Sequence, residues 1–444
     1  MTVLKLSRSQ FPAGFQFGAA GSSYQTEGHG FGGAGGTHWD SFAATPGNVA
    51  NGENGSIACD HYHHWPQDLD LAAECGFDAW RFSISWARVI PDGYGAANSA
   101  GLDFYDRLID GICARGMKPF ATLYHWELPS PLADRGGWMN RDIADWFADY
   151  ADTVMRRIGD RIHSVAPINE PWCVAWLSHF MGLHAPGLRD IRATARAMHH
   201  VPLAHGAAVQ AMRALGQKNI GLVANFERVL PAFADAASCR AADLYDQIYN
   251  RWFLSAVRLG EYPADALAGL AAHMPAGWEQ DFAQISTDVD WIGINYYTRK
   301  LITAGPTGMF GDFREVEGPL PKTDVGWEIH SEGLLHFLKM VWEECARGLP
   351  LYVTENGMAN ADFPVAGAVP DNARISYLQD HLRQLLRAVG SGIDVRGYFV
   401  WSFLDNFEWS LGYAKRFGIV HVDFDSMRRT PKASYFALRQ ALSR

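Results

Sequence analysis

This sequence of 444 residues contains no long apolar run and no cluster of basic residues. Because none of its apolar stretches approaches the roughly 18 residues that span a bilayer, we expect no membrane association. The first fifteen residues lack an apolar core followed by a small-residue cleavage site, which favours an unexported, cytoplasmic protein. The net charge is −10 and Lys and Arg form no run, so nucleic acid is disfavoured as a partner.

Cysteine is scarce, and signals for bound metal or nucleotide are weak. The six cysteines form no C-x-x-C pair and several lie in apolar helical patterns, which favours reduced, buried thiols over a disulfide framework. The HYHHW segment, 61–65, has no Cys or carboxylate companion at ligand spacing, so we expect local packing there and no metal. A G-x-G-x-x-G pattern at Gly28, Gly30 and Gly33 has no βαβ frame, which favours a flexible loop over a dinucleotide site.

The chain does contain enough apolar residues, 48%, to bury a large core. Eight short apolar segments alternate with helical or irregular stretches, and such alternation predicts a parallel sheet closed into a single (β/α)8 TIM barrel. No linker or charge block divides the chain, so we expect one catalytic domain over residues 1–444. The eight segments are FQFGAAGSS, AWRFSIS, KPFATLYHW, SVAPINEP, IGLVANFE, VDWIGINYYT, LYVTENG and GYFVWSF.

Apolar residues at helical spacing predict helices over 143–159, 332–348 and 374–390, each closed by a glycine. At the first of these ends we expect Gly159 to take the left-handed conformation. Two Gly-rich zones, 28–58 and 300–332, are too long for tight connections, so we expect loops there that wall a pocket.

Polar and aromatic residues collect where the predicted strands end. In a barrel the carboxyl ends of the strands carry the active site, so these side chains should converge there. Amides and carboxylates bind hydroxyl groups, and indole faces cover the C–H faces of a sugar ring, so the mixture suits a neutral polyhydroxylated ligand. The residues are Gln25, Ser83 to Trp86, His125, Trp126, Asn169, Glu170, Asn225, Asn295, Tyr297, Glu355 and Trp401.

Glu170 in NEP and Glu355 in ENG give this rim two carboxyl groups. Two carboxyl groups that flank one bond are the minimum for glycoside hydrolysis, one as acid and the other as base or nucleophile. Each motif alone is more often an ordinary turn or loop. Their position at strand ends, beside amides and indoles, is what favours catalysis.

The chain resembles glycoside hydrolase family 1, the β-glucosidases and their relatives, over essentially its full length. The motifs stand in the family's order: FQFGAAGSSYQTEG, ACDHYHHW, RFSISWARVIPDG, LYHWELP, INEPW, HAPG, IGINYYT, YVTENG, WSFLDNFEWSLGYAKRFGIVHVDF and RTPKAS. The resemblance implies a retaining mechanism, no cofactor and no metal. It also implies small β-glycosides and cello-oligosaccharides as substrates, whereas oligomeric state and the choice among gluco, galacto and fuco sugars remain open.

The resemblance further implies a role for each matching residue. Glu355 would be the nucleophile and Glu170 the acid/base, with Tyr297 and Arg81 holding Glu355. Asn169 would hold the sugar 2-hydroxyl, Trp401 would form the stacking floor, and Trp327 would stack at the leaving-group subsite. The remaining residues implied to bind substrate are Gln25, His125, Trp126, Asn295, Glu408, Trp409 and Phe417.

The sequence leaves three other hypotheses open. A 6-phospho-β-glycosidase would need a phosphate pocket after the last strand, where Glu408 and Trp409 stand instead. A noncatalytic sugar-binding barrel would keep the aromatic platform and lose one acid. A metal-dependent barrel enzyme would need a ligand set that the sequence does not offer.

The chain departs from the family at Glu127, where Asp is common, and at His330-Ser331, where Tyr-Pro is typical.

Overall fold

A computed structural model describes residues 3–306 and 310–443, and the predicted barrel is at its centre. The strands are β1 Gln16–Ala20, β2 Ala79–Ser83, β3 Lys118–Tyr124, β4 Ser164–Ile168, β5 Gly221–Pro231, β6 Trp291–Pro306, β7 Asp312–Val316, β8 Leu351–Asn356, β9 Val395–Trp401, β10 Val420–Asp423 and β11 Arg428–Pro431. The parallel strands of the barrel lie in the order β4-β3-β2-β1-β9-β8-β6-β5. Isolated parallel bridges, Val165 to Ile220 and Asn169 to Val223, join β4 to β5 and close the ring.

Helices follow the barrel strands and cover them from outside, so the prediction of a (β/α)8 barrel is confirmed. The α-helices are α1 Ser23–Thr26, α2 His38–Ala44, α3 His61–Cys75, α4 Trp86–Val89, α5 Ser99–Ala114, α6 Ser130–Asp134, α7 Ile143–Ile158, α8 Ile191–Ala214, α9 Ala236–Asp246, α10 Trp252–Leu259, α11 Ala264–Leu270, α12 Phe282–Ile285, α13 Glu332–Val341, α14 Asn372–Gly390 and α15 Ala433–Ala441. Single π-helical turns span Cys173–Leu177, Gln247–Arg251 and Trp342–Ala346; 3₁₀ turns span Arg8–Gln10, Ala50–Gly52, Gly137–Met139, Ala271–His273, Trp278–Asp281 and Trp409–Leu411.

The three helices predicted from apolar spacing are present as α7, α13 and α14, but the conformation expected at Gly159 is wrong. Gly159 has a φ of −62°, which is right-handed. A Cβ there would lie 2.5 Å from the carbonyl oxygen of Met155. The glycine therefore provides space for the turn that leaves α7.

Aromatic side chains fill the amino-terminal half of the barrel. The rings of Phe120 and Phe399 lie 4.8 Å apart, and Tyr352 packs edge-on against both Phe120 and Trp291. A Cβ at Gly18 would lie 2.3 Å from the ring of Phe399, so that position requires glycine. Because this end is packed, the open space lies at the carboxyl ends of the strands.

The two Gly-rich zones have different structures. In the zone 300–332, β6 continues beyond the barrel and pairs with β7 as an antiparallel hairpin, so this zone is not simply a loop. The zone 28–58 carries α2, whose Trp39 packs against Trp409 with ring centroids 4.6 Å apart. This second zone buttresses the cavity wall from behind and does not line it.

The described residues contain neither a membrane-spanning helix nor a cluster of metal-ligating side chains. Within 3–306 and 310–443, no helix combines the length and the apolar character needed to cross a membrane. Over the same ranges, no three His, Cys, Asp or Glu side chains are grouped as metal ligands. In HYHHW, His61 contacts Asp68 at 2.7 Å, and His63 contacts Asp60 at 2.6 Å.

Candidate active site

A cavity of about 350 Å³ opens at the carboxyl ends of the barrel strands. Its size is in the range of small-molecule sites. The predicted residues that line it are His125, Trp126, Glu170, Asn225, Tyr297, Trp327, Glu355, Trp401, Glu408, Trp409 and Phe417. Four more predicted residues, Gln25, Arg81, Asn169 and Asn295, are buried and hydrogen-bond to lining residues or to one another. The predicted segment Ser83 to Trp86 is also buried but lies outside the cavity lining, so its expected place at the site is wrong.

Glu355 is placed by the end of β8 and by the glycine that follows it. Asn356 accepts a hydrogen bond from Tyr398 and donates one to the carbonyl oxygen of Tyr296, which ties β8 to its neighbours. A Cβ at Gly357 would lie 1.6 Å from the carbonyl oxygen of Trp401, a distance that no other residue type allows. The glycine of ENG therefore lets the chain turn against β9 just after the carboxylate.

Glu170 follows β4 and has a φ of 50°, in the left-handed region that few non-glycine residues occupy. Its backbone N–H donates to the carbonyl oxygen of Val223 at 3.2 Å, and that of Asn169 donates to Tyr124 at 3.0 Å. The turn is thus held by β3 and β5 on both sides. Backbone in such a sparsely populated conformation is typical of functional sites.

A chain of hydrogen bonds joins the two carboxyl groups across the barrel. Arg81 donates to Glu355 Oε1 at 2.5 Å and to Asn169 Oδ1 at 2.6 Å. Asn295 Nδ2 donates to the same Asn169 oxygen at 3.1 Å and to Glu170 Oε1 at 2.7 Å. The two glutamates therefore belong to one connected polar network, supplied by residues on or directly after β2, β4, β6 and β8.

The surroundings of the two glutamates differ. Arg81 and the Tyr297 hydroxyl, at 2.6 Å, donate to the two oxygens of Glu355, as expected for a carboxylate. The hydrogen-bond partners of the Glu170 carboxyl group among the described residues are an amide and a thiol, which are neutral groups. Burial, and then the charge on Glu355, raise the pKa of Glu170 to about 8.

A third carboxyl group, that of Glu408, lies in the same cavity. Burial and the charges on Glu355 and Glu170 raise the pKa of Glu408 to about 8. Gln25 Nε2 lies 3.4 Å from it and is held by Asn406 at 3.0 Å. At neutral pH Glu408 can therefore donate a hydrogen bond to a ligand hydroxyl as well as accept one.

Two aromatic platforms shape the cavity. His125 and Trp401 stack at 5.6 Å with planes 7° apart, and burial lowers the pKa of His125 well below its usual value, so its imidazole is neutral. Trp327 lies 5.4 Å from the Tyr297 ring and 6.1 Å from Phe417. His125 also stacks on Trp409, the residue after Glu408, at 6.3 Å, and Tyr297 of the second platform donates to the Glu355 carboxylate.

Some predicted residues support the wall and do not present a free polar group. The indole N–H of Trp126 donates to the Asn169 carbonyl oxygen at 2.9 Å, so only its ring faces the cavity. Asn295 is fully buried, and its Oδ1 accepts from Thr354 at 2.6 Å. Their observed role in the free protein is to fix the network.

Several lining residues escaped sequence reasoning. Glu227 ends the segment IGLVANFE and Trp172 and Cys173 directly follow NEP, so their strand-end positions were a usable signal. Lys300 and Glu315 pair at 2.9 Å across the β6–β7 hairpin, which the sequence did not reveal. The other residues in this group are Leu177, Met181, Leu183, His184, Phe226, Tyr245, Tyr249, Thr298, Ser410 and Leu411.

The six cysteines are all free, but only four are buried, so the expectation of buried thiols is wrong for Cys113 and Cys239. One of the buried four, Cys173, lies in the cavity wall against Glu170. The other three are outside the cavity lining.

Comparison with known proteins gives one consistent family. The protein-family model described as Glycosyl hydrolase family 1 matches residues 7–442. A β-glucosidase of Agrobacterium sp. is 45% identical over 442 residues, which cover 98% of this chain and 95% of the relative. The β-glucosidase A of Thermotoga maritima is 43% identical over 429 residues, 96% of each chain.

Solved structures agree with these relatives. The family 1 β-glucosidase of Thermotoga maritima superposes with a TM-score of 0.94 at 42% identity, covering 97% of this chain and 98% of that one. The same enzyme in complex with deoxynojirimycin has a TM-score of 0.94 at 43% identity, with the same coverage.

Proposed function

Since the chain belongs to glycosyl hydrolase family 1, we propose that Glu355 is the nucleophile and Glu170 the acid/base of this enzyme. The protein is a glycoside hydrolase, a β-glucosidase that releases terminal nonreducing β-D-glucosyl residues with retention by double displacement through a covalent glycosyl-enzyme intermediate. The observation that carries the residue assignment is the network in which Arg81 holds Glu355 and Asn295 holds Glu170.

In the first displacement, Glu355 attacks the anomeric carbon while Glu170 donates its proton to the departing oxygen. Direct attack requires the two carboxyl groups to be about 5 to 5.5 Å apart. Arg81 and Tyr297 orient the attacking carboxylate. The raised pKa of Glu170, about 8, keeps its proton available at neutral pH.

In the second displacement, water attacks the glycosyl ester and Glu170 acts as the base. Ester formation removes the negative charge on Glu355, which is one of the two causes that raise the pKa of Glu170. Glu170 then loses its proton more readily, so one residue serves both steps. Two inversions at the anomeric carbon leave the sugar in its β configuration.

We also propose which groups bind the sugar. His125, Glu408 and Trp409, which line the cavity, and Gln25, which contacts Glu408, would hold its hydroxyls, with Trp401 beneath the ring. Asn169 would hold the 2-hydroxyl. Asn295 acts through Glu170 and Asn169, and Trp126, Phe417 and Trp327 form walls, the last at the leaving-group side.

The charges around the cavity support an unphosphorylated sugar. Glu408 occupies the position where a 6-phosphate would need cationic or hydroxyl partners. Arg81 is paired with Glu355, and Lys300 with Glu315. We propose cello-oligosaccharides as natural substrates, and hence a part in cellulose degradation, by a single-domain enzyme of residues 1–444. The free cysteines support a reducing, cytoplasmic location.

The test is hydrolysis of nitrophenyl β-D-glucoside with the released anomer followed by ¹H NMR before mutarotation. We expect β-glucose to appear first, and nitrophenyl β-glucoside 6-phosphate to react far more slowly. Glu170→Gln and Glu355→Gln, checked for native fold by circular dichroism, should both lose hydrolysis. Release of α-glucose first, or sugar binding without nitrophenol release, would contradict the proposal.

A further inference from the structure

We propose that Cys173 is a positioning residue for Glu170, whose thiol donates a hydrogen bond to the acid and sets the pH range over which that acid keeps its proton. This inference rests on the proposed role of Glu170 as acid/base. Cys173 would act only through Glu170 and would take no part in bond making.

The two oxygens of Glu170 have different partners. Oε1 accepts from Asn295 Nδ2 at 2.7 Å, whereas Oε2 lies 3.1 Å from Cys173 Sγ. A thiol is a weak donor, but a carboxylate strengthens any hydrogen bond that it accepts. The carboxyl group is therefore held at both ends, and the thiol is the partner of Oε2.

The backbone fixes this contact. Glu170 has a φ of 50°, and its carbonyl oxygen accepts from the N–H of Cys173 at 3.0 Å and from that of Val174 at 3.3 Å. The tight turn brings the side chains three residues apart onto one side. Cys173 then begins the π-helical turn Cys173–Leu177, which leaves its thiol facing the carboxyl group.

Asn225 determines which way the thiol hydrogen points. Its Nδ2 lies 3.8 Å from Cys173 Sγ and donates to the sulfur. The sulfur thus accepts on the β5 side, so its own hydrogen is directed to Glu170. Burial and the charge on Glu170 raise the pKa of Cys173 well above its usual value, which keeps the hydrogen in place.

This contact has a consequence that packing alone does not. A donor to the carboxylate favours the charged form of Glu170, so removal of the thiol hydrogen should let Glu170 keep its proton to higher pH. A hydroxyl in its place donates more strongly, so the pKa of Glu170 should fall or stay the same. If Cys173 only filled space, neither replacement would change the pKa of Glu170.

The experiment compares Cys173→Val, which keeps an apolar group of similar size, with Cys173→Ser, which keeps the donor. The control is Cys345→Val, a buried cysteine outside the cavity lining. The measurement is kcat/KM for nitrophenyl β-glucoside against pH, whose alkaline limb reports the acid of the free enzyme. A ¹³C NMR titration of labelled glutamate, assigned with Glu170→Gln, gives the pKa of Glu170 independently of turnover.

We expect the alkaline limb of Cys173→Val to move up by about 0.5 to 1 pH unit, as the loss of one weak hydrogen bond implies. The limb of Cys173→Ser should stay or move down, and that of Cys345→Val should not move. A limb that is unmoved in Cys173→Val, or that moves up in both Cys173 variants, overturns the proposal. If Cys173→Val does not fold, a shift of the alkaline limb of Cys173→Ser to higher pH also overturns the proposal.

The result also separates this inference from the proposed function. Wild-type protein without hydrolytic activity would refute the function, and the NMR titration would still test the thiol contact. Active wild-type protein with unmoved titration curves would refute only the role of Cys173.

Discussion

Replacement of Glu355 by Gln should lower the pKa of Glu170 from about 8 to about 6. The value near 8 has two main causes, burial and the charge on Glu355, and the substitution removes only the second. For two charges about 5 Å apart at an effective dielectric constant of about 20, the interaction is roughly 3 kcal/mol, or about two pKa units. Burial should keep the remaining value above that of an exposed glutamate.

The assay is a ¹³C NMR titration of the Glu170 carboxyl carbon in the wild type and in Glu355→Gln. Glu408→Gln is the matched control, because Glu408 shares the cavity but is not among the main causes that raise the pKa of Glu170, so this substitution should change that pKa by less than about half a unit. A Glu170 pKa that stays near 8 in Glu355→Gln would refute the argument that mutual charge prepares the acid.

Three further changes test single features of the site. Tyr297→Phe removes the hydroxyl 2.6 Å from the nucleophile and should lower kcat/KM by about 10- to 100-fold, the cost of one hydrogen bond to a charged group, with no large change in fold stability. Gly357→Ala places a Cβ within 1.6 Å of a carbonyl oxygen on β9 and should lower both the melting temperature and activity, whereas Gly390→Ala, with open space around it, should change neither. Burial raises the pKa of Glu127 to about 7, so the folded state keeps a proton that the unfolded chain releases from about pH 4.5 upward. Stability should therefore fall between pH 4.5 and 7, and Glu127→Gln should reduce that fall by about 3 kcal/mol, measured by urea unfolding at pH 4.5 and 8. An equal fall in both proteins would contradict this sign.

The barrel and most of the site were predictable because two simple rules apply to them. Buried strands that alternate with helices form a parallel sheet, and the carboxyl ends of parallel strands meet at one edge. Residues as far apart as Arg81 and Glu355 could therefore be placed together without any contact information. The family resemblance then supplied a role for each.

What escaped prediction depends on local geometry that the sequence does not encode in a simple pattern. The contact of Cys173 with Glu170 follows from a φ of 50° at Glu170, an unusual conformation for a non-glycine residue. The pairing of Lys300 with Glu315 requires β6 to run beyond the barrel into a hairpin, where sequence reasoning expected a loop. Gly159 is a further example, because a position can require glycine for the space that it leaves as well as for a left-handed turn.

The most direct test of the central claim is the stereochemistry of azide rescue in Glu355→Gly. The account predicts that nitrophenyl β-glucoside with azide yields the α-glucosyl azide, because azide replaces the missing nucleophile and attacks from its side. In Glu170→Gly an activated β-glucoside should instead give the β-glucosyl azide by way of the covalent intermediate. A β product from Glu355→Gly would reverse the two assignments and contradict the mechanism.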